Sequence, residues 1–83
     1  MHMTIEINGK KVVVTDKNAR AYEKLNGLPV DAEAVKIYIS AACKGAPDRN
    51  IALLSEEDLS TLVNNSIEME VRGCGSDAFY EGA

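Results

Sequence analysis

Histidine is nearly absent from this chain. His2 is the only one in 83 residues, and it sits at the extreme N-terminus. A base that titrates near neutral pH is what Ser-His-Asp and Cys-His arrangements depend on, so neither is available here. Cysteine is scarce too. Cys43 and Cys74 are the only two, fewer than a secreted disulfide scaffold carries and too far apart for a CxxC motif. Long apolar runs are missing, so nothing is expected to span a bilayer. No positively charged start leads into an apolar stretch, so no signal peptide is expected. The Met1-His2 pair ahead of Met3 reads as an appended start, with Met3 the natural one. Basic residues are outnumbered, 9 against 13 acidic, for a formal charge of -4. That balance argues against a nucleic-acid backbone as partner. Phosphate-cradling loops are absent as well: Gly73-Cys74-Gly75 has half the spacing of a dinucleotide fingerprint, and no helix is expected to begin after it. No run places oxygen ligands as a calcium loop does. These absences leave a soluble cytoplasmic protein with no cofactor, and they point away from an enzyme.

What is present suffices for one modest core. Leu, Ile, Val and Phe make up 20 of the 83 residues, and a chain this short is a single domain, 1–83. The strongest local signal is Asn8-Gly9 between Thr4-Ile5-Glu6-Ile7 and Lys10-Lys11-Val12-Val13-Val14. Asn-Gly accepts the left-handed backbone that a two-residue hairpin loop demands. With that loop, Met3, Ile5, Ile7, Val12 and Val14 share one face, and Glu6 stands across from Lys11 on the other.

Asp16 to Asn26 predicts a short helix, capped by Thr15 or Asp16, with Ala19, Tyr22 and Leu25 inward and Asn26-Gly27 as its stop. Residues 35–41 alternate and could form a strand. Their flanks favour a helix: Asp31 as N-cap, Val30 and Val35 as a hydrophobic staple, Gly45 as the left-handed stop and Pro47 beyond it. In that helix Val35, Tyr38, Ile39, Ala42 and Cys43 form the apolar stripe, widened by Ile37 and Ala41. Ile51 to Leu54 is expected as a brief strand or an extended lead. Ser55 then caps a helix carrying Leu59, Leu62 and Val63, which Asn64-Asn65 ends.

Ser66 to Arg72 alternates again, Ile67, Met69 and Val71 against Glu68, Glu70 and Arg72. A lone hairpin is marginally stable, so this segment is expected to complete a three-stranded antiparallel sheet. The expected fold is therefore α+β: the N-terminal β-hairpin plus a late strand, packed against two or three helices. Residues 73–83 are expected either as a flexible C-terminal tail or as a segment whose Phe79-Tyr80 pair docks back onto the domain.

A small acidic domain with no catalytic constellation acts through a surface. Two surfaces are expected to bind protein. One is the outer sheet face, with Thr4, Glu6, Lys11, Val13, Glu68, Glu70 and Arg72; the other is the aromatic pair Phe79-Tyr80. The role expected is that of an adaptor, inhibitor or accessory subunit. Its charge suits a partner with a basic surface, and edge-strand pairing would allow a homodimer. Two alternatives stand beside it: a thiol-dependent redox or metal-binding protein using Cys43 or Cys74, and a self-assembling structural component.

Overall fold

Asn8 and Gly9 hold positive φ angles, 49° and 79°, and so close the tight turn that their sequence demands. The turn joins β1 (Met3–Ile7) to β2 (Lys10–Val14). The strands pair antiparallel in the expected register, from Ile7 opposite Lys10 to Met3 opposite Val14. The computed structural model describes residues 2–74, except for the side chain of Cys74. Four helices follow the hairpin: α1 (Asp16–Asn26), α2 (Ala32–Cys43), α3 (Pro47–Leu53) and α4 (Glu56–Cys74).

Each helix start has a chemical reason. The Thr15 side chain accepts from the Asn18 amide and Asp31 accepts from the Ala34 amide, at 3.3 and 2.8 Å. Pro47 occupies the first turn of α3, where its missing N–H costs nothing. The Ser55 hydroxyl accepts from the Asp58 amide at 3.0 Å, and Glu56, Glu57 and Asp58 place negative charge at the positive end of α4. Gly27 ends α1 at φ 76°. The left-handed residue after α2 is Lys44, at φ 54°, and not Gly45.

The hairpin lays Ile7, Val12 and Val14 on the helices. There they meet Val30, Ala34, Val35, Tyr38 and Ile39 around α2, Ile51 of α3, and Leu59, Val63 and Ile67 of α4. The apolar stripe of α2 is narrower than its composition suggests, since Ile37 is 62% exposed and Ala41 and Ala42 are exposed.

The expected third strand does not exist. Among the described residues the sheet has two strands and there are four helices, because residues 66–72 continue α4 and residues 51–53 belong to α3. The alternation at 67, 69 and 71 is not matched by burial: Ile67 is fully buried, whereas Met69 is 71% exposed. Ile67 instead extends the i, i+4 stripe begun by Leu59 and Val63, and that period belongs to a helix. Asn64-Asn65 does not stop α4, because the Asn64 side chain is engaged elsewhere. The helix also runs through Gly73 to Cys74, where the tail was expected to begin. Among the described residues no helix is long and apolar enough to cross a membrane.

Candidate functional site

The two edges of the hairpin differ completely. In an antiparallel pair closed by a two-residue loop, alternate residues turn their N–H and C=O groups outward. On β2 these are Lys11 and Val13, and α4 meets them with side chains. Glu56 accepts from the Lys11 amide at 2.8 Å, Ser60 from the Val13 amide at 2.9 Å, and Asn64 from the Thr15 amide at 3.0 Å. Asn64 also donates to the Val13 carbonyl at 2.9 Å. The spacing explains the fit. Four helical residues advance about 6 Å and two strand residues about 6.7 Å, so every fourth residue of a parallel helix meets every second residue of a strand. Glu56, Ser60 and Asn64 thus do for β2 what a third strand would have done.

The same stripe reaches α1. Asn18, 3% exposed, is the buried polar residue of the core among the described residues. Its side-chain amide donates to Asn64 Oδ1 at 2.9 Å and to Glu68 Oε2 at 3.1 Å.

On β1 the outward groups belong to Thr4 and Glu6. Both residues are exposed, and their backbone N–H and C=O groups have no partner among the described residues. Beneath that edge Met3 and Ile5 are only half-buried, although they share a face with buried Ile7, Val12 and Val14. An open groove of about 430 Å³ lies beside Met3, bordered by Ala19, Arg20 and Glu23 of α1 and by Pro29-Val30.

The expected binding face divides. Glu6, Lys11 and Val13 lie on the outer sheet face, with Glu6 opposite Lys11 and Val13 opposite Thr4. Val13 is half-buried, because it borders a shallow groove against Ser60, Thr61 and Asn64 of α4. Glu68, Glu70 and Arg72 are on α4, not on the sheet; Glu68 and Arg72 stay on one face beside α1, and Glu70 turns away from them. Glu68 turns to Asn18, and Glu70 accepts from the Tyr38 hydroxyl at 2.7 Å. Arg72 borders a small groove with Lys17 and Ala21 of α1. Residues two apart share a face on a strand and lie about 200° apart on a helix, which is why the acidic cluster dissolves. Phe79 and Tyr80 lie outside the described residues. Cys43 is half-buried and free, and the Cys74 side chain lies outside the description.

The hairpin tip is held to α3. The Lys10 ammonium donates to the carbonyls of Ala52 and Leu54, at the negative end of that short helix. Asp48 accepts from the Asn8 amide at 2.8 Å and pairs with Lys36 at 3.3 Å. The Asn8 hydrogen bond and then the Lys36 ammonium hold its carboxyl below the usual range. The Tyr38 ring meets Tyr22 edge to face at 6.1 Å. Burial first, then the hydrogen bond to the Glu70 carboxylate, raises the Tyr38 hydroxyl above its ordinary value.

Asn18, Ser60 and Asn64 escaped the sequence reading. Their signal was there: Glu56, Ser60, Asn64 and Glu68 form an unbroken polar i, i+4 series beside the apolar one.

No protein-family model matches this chain, and neither does any curated protein or solved structure.

Proposed function

We propose that this domain binds protein by accepting an extended segment along the open edge of β1. The observation that carries this reading is the contrast within one hairpin. The β2 edge is capped by side chains of α4 at three successive outward positions, while Thr4 and Glu6 find no partner for theirs among the described residues. An uncovered strand edge supplies affinity through main-chain hydrogen bonds and specificity through alternate side chains. The half-buried Met3 and Ile5 offer apolar contact on the inner side. With Glu68 and Glu70 on different sides of α4, a basic partner would meet only Glu6 here. The reading therefore rests on the backbone edge and not on net charge. It is a non-catalytic role, in a cytoplasmic setting that the low cysteine count suggests.

The test is cross-linked capture from the natural host with the wild-type chain, Glu6→Pro and Glu57→Ala. Proline at an outward edge position removes one donor without breaking the ladder to β2. Cross-links mapping to residues 3–7 should be lost in Glu6→Pro and kept in Glu57→Ala. Equal cross-links from all three chains would overturn the edge as the binding element.

A further inference from the structure

The edge of β1 is self-complementary, and its geometry points to a second copy of this chain as the occupant. We infer a two-fold dimer in which β1 pairs antiparallel with β1 about Ile5, making a four-stranded sheet in the order β2-β1-β1-β2. This inference rests on β1 being the binding edge and names what fills it.

The pleat limits the choices. Directly opposed residues in an antiparallel pair point to the same face, so a two-fold axis must pass where a residue meets its own copy. Centring on Glu6 sets two carboxylates against each other, a destabilising like-charge pair. Centring on Thr4 leaves Ile7 beyond the overlap. Centring on Ile5 overlaps all five residues of β1 (Met3–Ile7). It sets Thr4 against Glu6 of the second copy on the outer face, and Met3 against Ile7 on the inner.

Hydrogen bonding agrees with that register. Thr4 and Glu6 are the residues of β1 whose backbone groups point away from β2, as the Ile7–Lys10 closing pair dictates. About Ile5 they become the two hydrogen-bonded pairs, each Thr4 exchanging both bonds with Glu6 of the other copy. Ile5 meets itself at a non-hydrogen-bonded position, where side chains approach most closely. This also supplies cover for the two residues of the inner sheet face left half-buried, Met3 and Ile5. Each chain carries a formal charge of -4, so the two copies repel at a distance and added salt should strengthen the pairing.

Sedimentation velocity over a concentration series tests the dimer, with backbone hydrogen exchange at Thr4 and Glu6 as a second readout. The wild-type chain should shift towards dimer with concentration, and more readily in added salt. Glu6→Pro should weaken association at least tenfold while keeping its circular dichroism. In a Cys43→Ser/Cys74→Ser background, Ile5→Cys should oxidise to a covalent dimer, since opposed Cα atoms there fall within disulfide reach. Thr4→Cys and Glu6→Cys should do so at least tenfold less. A wild-type monomer at every concentration, with Thr4 and Glu6 exchanging freely, overturns the second copy. The edge reading then still stands or falls on the capture experiment. A monomer whose Thr4 and Glu6 amides are protected overturns it in favour of the chain's own residues 75–83. A dimer indifferent to Glu6→Pro places the contact elsewhere and overturns it too.

Discussion

Asn64 ties α4 to two elements, β2 and α1, that lie 46 to 51 residues back in the chain. Its carboxamide accepts from the Thr15 amide and from Asn18, and donates to the carbonyls of Val13 and Ser60. Truncating it strands partners that are partly out of water, and each buried group left unpaired costs about 1–3 kcal/mol. Asn64→Ala should therefore lower unfolding stability by roughly 2–3 kcal/mol in urea titrations. Asn64→Asp keeps the acceptor and loses both donor bonds, so it should fall between wild type and alanine. Tyr38 makes a different kind of prediction. Its hydroxyl is harder to ionise in the folded chain than in the unfolded one, chiefly through burial and then through Glu70. The folded state thus binds the proton more tightly. That stabilisation is complete below the ordinary tyrosine value of about 10 and is lost as pH climbs above it towards the raised native value. Tyr22 is shifted in the same direction. Tyr38→Phe should flatten the alkaline loss of stability, and at pH 7 it should cost less than about 1 kcal/mol, since Glu70 is exposed.

At the scale of elements, the two edges of one hairpin invite opposite outcomes from the same substitution. Val13→Pro deletes an amide that Ser60 accepts from and pushes a ring towards α4. It should destabilise the fold by about 2–3 kcal/mol. Glu6→Pro removes an amide that has no partner among the described residues, and its melting temperature should stay within a few degrees of wild type. Similar losses from both would show that the β1 edge is engaged within the monomer.

The elements divide in the same way in how far the sequence reveals them. The hairpin was legible because Asn8-Gly9 fixes both turn and register. The helix over Ala32–Cys43 was legible because Asp31 and the Val30/Val35 staple outweigh a short alternation. The end of α4 was not. Over six residues a period of two and a period of 3.6 can both be satisfied, and only Leu59, Val63 and Ile67 taken together across Asn64-Asn65 decide between them. The asparagine pair looked like a stop because the partners of Asn64, which are Val13, Thr15 and Asn18, lie 46 to 51 residues back in the chain. Of the expected binding face, Glu6, Lys11 and Val13 stay together because the hairpin was right. Glu70 parts from Glu68 and Arg72, and all three leave the sheet, because the strand was wrong.

For the whole molecule, the long-range bonds from the hairpin to α4 span 45 to 51 residues. They close the fold by joining nearly its first described element to its last. During synthesis, at about 5–20 residues per second, the cap on β2 follows its strand by roughly 2–10 s. In that interval the β2 edge of the nascent ribbon is naked, and Val12 and Val14 still lack the cover that α4 gives them. The emerging chain is therefore most prone to misassociate before Asn64 leaves the ribosome, and a shield for the growing chain matters most in those seconds.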